Sequence, residues 1–288
     1  MSDQELSSEI TLKALTQAMP YIKEFKNKVI VIKYGGSQLR VGDDLDSFAD
    51  DIMLLRSIGI NVIVVHGGGP QIDEALKVYG KEPEFSDGLR VTDKETLNIA
   101  RMVLVGRVGR DIVNSINRHG GYGVGITGED GQLFVAEQFN EKLGFVGRVK
   151  TVNASIIERM YREDLIPIIS TIGVDEDGQS LNINADEAAA ALAIALGAEK
   201  LIIMSNIPGL LKDVADPNSV ISELELGDAK RMIDGDEIAQ GMIPKLGSCV
   251  NAVESGVRRA HIIDGRQPHS VLMELFTNEG VGTMFYKD

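Results

Sequence analysis

Tryptophan is absent from the 288 residues, and cysteine occurs once, at Cys249. A single thiol excludes an internal disulfide framework and points to a reducing, cytoplasmic setting. With aromatics at only 5%, base-stacking platforms are not expected. Positive charge is also scarce: 29 Lys and Arg stand against 43 Asp and Glu, a net charge of -14. That balance argues against a nucleic-acid partner. It leaves open small anions, which a few local lysines and backbone N–H groups can hold. The longest apolar run, Ala188–Leu196, is too short to cross a bilayer. The N-terminus reads Met-Ser-Asp-Gln-Glu, without a basic-then-apolar leader pattern, so no membrane contact is expected. Two phosphate motifs are missing as well: no G-x-x-x-x-G-K-[ST] occurs, and no G-x-G-x-x-G follows the first strand.

What the chain does contain is a rhythm of short apolar strands and amphipathic helices. Strands are expected at Val29–Lys33, Val62–His66, Leu165–Ser170, Leu181–Asn184, Leu201–Met204 and His261–Ile263, with another within Gly120–Thr127. Helices are expected at Ser47–Ile58, after the Gly67–Pro70 turn through Tyr79, over most of Thr92–Arg118, and at Ala154–Glu163, Asp186–Leu196 and Pro244–Ser255. Alternation of this kind predicts an α/β protein with a mainly parallel sheet and helices on both faces. Ligands in such sheets gather at the carboxyl ends of the strands. Ahead of the first strand, Leu12, Leu15, Met19 and Ile22 form one apolar stripe on a helix from Leu6 to Phe25. It packs either on its own domain or on another subunit, and Pro20 is expected to kink or end it.

Five stretches carry candidate chemistry. Lys33-Tyr34-Gly35-Gly36-Ser37 and His66-Gly67-Gly68-Gly69-Pro70 both follow an apolar strand. Glycines let backbone N–H groups approach a ligand, and a following helix N-terminus adds partial positive charge. Two such turns on neighbouring strands predict a nest for phosphate or carboxylate. Arg90 lies in a loop where it could clamp a carboxylate, just before Thr92 and Glu95, which have capping-box spacing. In Asn182-Ile183-Asn184-Ala185-Asp186 the two amides are expected on one face, ahead of a carboxylate at a helix mouth. Lys245 follows Pro244 into the first turn of a helix, where a cation opposes the helix dipole unless an anion is held there.

Taken in order and at these spacings, the five stretches resemble the amino acid kinase family, and within it the acetylglutamate kinases, from Val29 to Thr283. The resemblance implies a three-layer α/β sandwich in two lobes. Residues 1–27 would form an N-terminal helix between subunits, 28–197 a lobe for acetylglutamate binding and dimerisation, and 198–288 a lobe for ATP and arginine. It implies ATP-dependent phosphorylation of the γ-carboxylate of N-acetyl-L-glutamate, with Mg²⁺ arriving on ATP and no metal cage in the protein. Lys33, Lys245, Asp186 and Gly36 would serve the transferring phosphoryl group, with Asp186 orienting the lysines. Gly68, Gly69, Arg90 and Asn182 would hold the acceptor; Gly35, Ser205, Asn206, Gly209 and Lys245 would meet the nucleotide. Relatives inhibited by arginine carry the N-terminal helix and a C-terminal signature, which here comprises Tyr21, His261, Glu274, Gly280 and Gly282. Their interlaced helices make a hexamer, a trimer of dimers. The chain departs from relatives at Asn206, where aspartate is common, at Phe145, where histidine is frequent, and in a short Glu129–Gly144 segment.

Other readings remain. Kinases for aspartate, glutamate, carbamate or UMP share the fold, but those for aspartate and glutamate usually carry further C-terminal domains. An acetylglutamate synthase would need an acetyltransferase domain past residue 288, and neither addition is expected here. A non-catalytic arginine sensor is the alternative of another class. Retention of Lys33, Asp186 and Lys245 speaks against it.

Overall fold

The computed structural model describes residues 3–35, 43–86, 88–213, 216, 219–235, 242–277 and 280–287. Gly36, expected beside the phosphoryl group, lies outside them. The chain runs α1 (Asp3–Phe25), β1 (Val29–Tyr34), α2 (Asp43–Ser57), β2 (Asn61–His66), α3 (Gly69–Val78), β3 (Phe85–Ser86), β4 (Leu89–Arg90) and α4 (Lys94–Arg101). After α4 a π-helical stretch, Met102–Val108, leads into α5 (Gly109–Asn117). Then come β5 (Gly123–Thr127), β6 (Phe134–Gln138), β7 (Val146–Val152), α6 (Ser155–Arg162), β8 (Ile166–Ser170), β9 (Ile172–Val174), β10 (Ser180–Ile183) and α7 (Ala185–Ala195). The remainder is β11 (Lys200–Ser205), β12 (Glu223–Glu225), α8 (Leu226–Asp234), α9 (Ile243–Glu254), β13 (Arg259–Asp264), α10 (Ser270–Phe276) and β14 (Gly282–Tyr286).

The main sheet has eight strands in the order β12-β14-β13-β11-β1-β2-β8-β5. All its neighbours pair in parallel except β13 and β14. Its central strands are apolar on both faces, as covered parallel strands must be. Val31, Ile63 and Val65 face one core, with the alanines of α7 and the buried side of α9. Ile30, Ile32, Val62 and Val64 face the other, with α2 and α5. Ala188, Ala189, Ala190 and Ala193 are all buried. Their small side chains let α7 lie against β1, α9 and β7 together.

Several expectations needed correction. The N-terminal helix does not end early: α1 runs through Pro20 to Phe25. Proline removes only one interior hydrogen bond, and the last turn is tied down by α10. Thr92 is not a helix cap. Its backbone is drawn into pairing with Leu143 and Phe145, and Asp93 caps α4 by accepting from Thr96 N–H at 2.8 Å. The small closed barrel β10-β7-β6-β9 was not foreseen. Neither were α8, β12 and α10, since short elements carry too few periods to register.

Candidate active site

Lys33 is the penultimate residue of β1, and Asp186 lies in the first turn of α7, which packs across that strand. Asn184 is the N-cap of α7; its side chain accepts from the N–H groups of Asp186 at 2.8 Å and Glu187 at 3.2 Å. Capping is therefore done two residues upstream, and the Asp186 carboxylate is left for other partners. The two asparagines consequently do not share a task. Asn182 stays in β10 and donates to Thr92 Oγ1 at 3.3 Å, while Asn184 turns the chain into the helix.

Asp186 bridges two lysines from distant parts of the chain. Lys245 Nζ, at the start of α9, donates to Oδ2 at 2.9 Å. Lys33 Nζ lies 2.9 Å from Oδ1 as an ion pair, and among the described residues no hydrogen bond reaches Oδ1. Burial opposes ionisation of Asp186 more than any other single effect. The charges of Lys33 and Lys245 and their contacts together outweigh it, and the carboxyl is held at about 2. Lys245, placed against the dipole of its own helix, is thus supplied with an anion.

The glycine turns close on this triad. A Cβ at position 35 would come within 3.2 Å of Gly67 N and 3.4 Å of Lys33 Cε, so the two turns touch. Gly67 faces Ala185 at the mouth of α7. Gly68 precedes α3, whose N-terminus receives no side-chain cap. A Cβ at Gly68 would sit 2.8 Å from Leu104 Cδ2 of the π-helical stretch, so a larger residue would have to displace that packed side chain. Uncapped N–H groups beside two lysines fit an anion. Arg90 is buried, its guanidinium donating to Asp73 at 2.6 Å and to the Gly69 carbonyl at 3.2 Å. A cleft of about 750 Å³ runs between α7 and α9, walled by Asn184, Glu187, Pro244 and Ser248; the three triad residues do not line it.

The residues matched to the nucleotide are less uniform. Ser205 ends β11 with its hydroxyl buried and, among the described residues, without a hydrogen bond. Asn206 is exposed. Gly209 packs against Thr283 of β14, where a Cβ would lie 2.8 Å from Oγ1.

A second buried cluster lies at the opposite end of β11. His261 Nδ1 donates to Glu274 Oε1 at 2.6 Å, and Lys200 Nζ donates to His261 Nε2 at 3.0 Å. Glu274 also accepts from Val281 N–H at 2.8 Å, and Gly280 passes so close that a Cβ would be 3.0 Å from Oε2. Gly282 pairs with Ile263 across β13–β14. Burial lowers the Lys200 ammonium to about 8, helped by the nearby Arg259 charge. It lowers His261 too, against the pull of Glu274. Above this line, Lys200 lies 5.3 Å from the ring of Phe25, on which Tyr21 stacks at 6.4 Å. Sequence reasoning missed Lys200, although a lysine beginning the apolar run "KLIIMS" is the mirror image of the lysine ending "VIVIK". It also assigned no part to His66.

The amino acid kinase family model matches residues 28–264. An acetylglutamate kinase of Synechocystis is 47% identical over 274 residues, covering 95% of this chain and 92% of the relative. Another, from Methanothrix thermoacetophila, is 48% identical over 280 residues, with coverage of 94% and 97%. Among solved structures, the N-acetylglutamate synthase of Neisseria gonorrhoeae complexed with coenzyme A and N-acetyl-glutamate superposes with a TM-score of 0.86 at 25% identity, over 96% of this chain. The chain spans 63% of that protein's length. Giardia carbamate kinase, at 16% identity and a TM-score of 0.68, shares the fold. With the family model spanning most of the sequence and kinase relatives nearly all of it, the chain belongs to the amino acid kinase family and is a phosphotransferase.

Proposed function

We propose that the chain phosphorylates the γ-carboxylate of N-acetyl-L-glutamate with ATP, forming N-acetyl-L-glutamyl 5-phosphate in arginine biosynthesis. The observation that carries this reading is the buried Lys33–Asp186–Lys245 bridge beside two touching glycine turns. One carboxylate holds two ammonium groups, leaving net positive charge where backbone N–H groups converge. Phosphoryl transfer asks for positioning and charge stabilisation and for little covalent help from the protein. A carboxylate oxygen of the acceptor forms the new bond to the γ-phosphorus as the bond to the β–γ bridging oxygen breaks, and ADP leaves. The acceptor, with an ordinary pKa of about 4.3, is already ionised, so no general base is needed.

In this reading Lys33 and Lys245 flank the moving phosphoryl group and Asp186 fixes their spacing. Gly68 donates its N–H to the reacting oxygens; Gly69, Arg90 and Asn182 hold the acceptor. Arg90 is already clamped by Asp73 and the Gly69 carbonyl, which suits a preset recognition group. Gly35, Ser205, Asn206 and Gly209 lie on the nucleotide's path, and Mg²⁺ enters with the ATP phosphates. A division into residues 28–197 and 198–288 is supported by Gly197, a left-handed turn at φ 56° between α7 and β11.

Arginine acts as a feedback effector at the Lys200–His261–Glu274 line, with Tyr21, Gly280 and Gly282 beside it. A buried carboxylate next to the glycine turn suits a guanidinium. Leu12, Leu15 and Met19 remain exposed on α1, which supports its use between subunits in a hexamer of three dimers.

The test is ATP turnover with N-acetyl-L-glutamate against aspartate, glutamate and UMP, with and without arginine, alongside sedimentation. Turnover confined to N-acetyl-L-glutamate and suppressed by arginine is the expected result. Turnover with another acceptor alone overturns the substrate, and turnover by a dimer indifferent to arginine overturns the effector site.

A further inference from the structure

His66 ends β2 fully buried, yet its surroundings leave half of its ring unsatisfied. Nδ1 lies 3.1 Å from the carbonyl oxygen of Gly67. A carbonyl can only accept, so Nδ1 must carry the proton. Nε2 is then a bare acceptor, and no hydrogen bond reaches it among the described residues. Gly109 makes room for the ring, because a Cβ there would come 3.1 Å from Nε2. A buried acceptor left unsatisfied costs its desolvation without return. Leucine would fill the same space without that cost, so packing alone does not explain a histidine here.

The register of the sheet supplies a reason. Lys33 pairs with Val65 and Tyr34 pairs with His66, so Lys33 and His66 point to opposite faces. Lys33 faces α7 and Asp186; His66 faces the core beneath α5, where Gly109 lies. No cis peptide bond occurs among the described residues, so the Gly67 carbonyl and the Gly68 N–H point in opposite directions. Fastening that carbonyl on the His66 side turns the Gly68 N–H towards the Lys33 side. Glycine at 67 and 68 leaves this peptide plane otherwise free to rotate.

We propose that His66 is a positioning residue for phosphoryl transfer: its Nδ1–H holds the Gly67 carbonyl and thereby aims the Gly68 N–H at the reacting oxygens. This rests on the reading above, in which Gly68 faces the acceptor. Burial, with the nearby Arg110 charge, keeps the ring neutral at about 4 despite its bond to Gly67, which suits a fixed tautomer.

Asparagine places an amide donor where Nδ1 stands, and glutamine places one where Nε2 stands. His66→Asn should retain turnover within about threefold. His66→Gln should lower kcat about 100-fold, the scale of losing a backbone donor to developing charge, with KM for ATP unchanged. A merely structural role predicts that both variants lose activity in step with stability, and that result overturns the proposal. Because either variant could fold poorly, the ¹⁵N spectrum of the His66 ring in wild-type protein is the companion measurement. A proton on Nδ1 is expected, and a proton on Nε2 alone overturns the assignment. Wild-type protein without turnover of N-acetyl-L-glutamate sinks the reaction and the role of His66 with it. Wild-type turnover with equal losses in the two variants sinks only the role of His66.

Discussion

Two buried lysines sit at opposite ends of neighbouring strands, and their partners differ in one unit of charge. Lys33, at the end of β1, shares the Asp186 carboxylate with Lys245. Lys200, at the start of β11, is joined through the neutral ring of His261 to Glu274. The first cluster has two cations for one carboxylate; the second has one for one. A buried cluster with surplus positive charge is incomplete without an anion. A balanced one is complete at rest and responds when a ligand competes for its carboxylate. The surplus lies at the carboxyl edge of the sheet, among glycine turns and an uncapped helix, where a phosphoryl group can be received.

The largest effect should come from breaking the carboxylate in each cluster. Asp186→Ala leaves two cations crowded without their shared partner. Loss of one partner of a buried pair destabilises by about 3–5 kcal/mol, and kcat should fall by about a thousandfold as the lysines lose their spacing. Glu274→Ala should cost comparable stability yet leave kcat without arginine within about threefold, while arginine inhibition disappears. Urea unfolding and initial rates on both variants decide the matter. Equal losses of kcat would show that the clusters are not functionally distinct.

How much of this could be read beforehand follows the same division. The first cluster was legible because each member breaks a local rule: a lysine inside an apolar strand, glycines where a helix begins, a cation in a helix's first turn. Rule-breaking positions concentrate at functional sites. The long strands and α7 were legible from apolar runs and alanines. The barrel was not, because β9 has only three residues and the ring closes through the β10–β7 and β6–β9 pairings, which join segments far apart in sequence. Nor was the π-helical stretch, whose "MVLVGRV" reads like any helical segment; its neighbour Gly68 gives the steric reason for its position. Lys200 went unnoticed because a lysine at a strand's first residue is ordinarily solvated. In the fold it is buried, with Phe25 of α1 on one side and His261 on the other.

That burial yields the next prediction. In the folded protein Lys200 releases its proton near pH 8, against an ordinary value of 10.5 in the unfolded chain. Between those values the unfolded chain binds a proton that the folded one does not, so stability rises with pH across this window. The expected gain is about 3 kcal/mol over the full window, from about 1.4 kcal/mol per unit. Lys200→Met should flatten the curve. Comparison of urea midpoints at pH 7.5 and 10 in wild type and variant isolates this contribution from other groups. An unchanged slope in the variant would mean that Lys200 keeps its proton across this window and that its burial does not weaken the charged form.

The smallest effect on the fold should come from Asn182, and it separates binding from packing at the first cluster. Its side chain makes a 3.3 Å bond to Thr92 Oγ1, whose own hydroxyl is committed to the Arg90 carbonyl at 2.9 Å. A long, partly buried bond of this kind contributes about 1 kcal/mol or less, so Asn182→Ala should shift the unfolding midpoint only slightly. Thr92 and Phe145 are held independently by backbone bonds, Thr92 N–H to Leu143 at 2.8 Å and Phe145 N–H to Thr92 at 2.7 Å. The wall around the acceptor therefore survives the loss. If the amide contacts the acceptor, KM for N-acetyl-L-glutamate should rise about tenfold while kcat and KM for ATP stay near wild type, the mark of lost uniform binding. If KM does not move, Asn182 is a strut between β10 and the Arg90 segment, and the acceptor is held by Arg90 and the glycine turn without it.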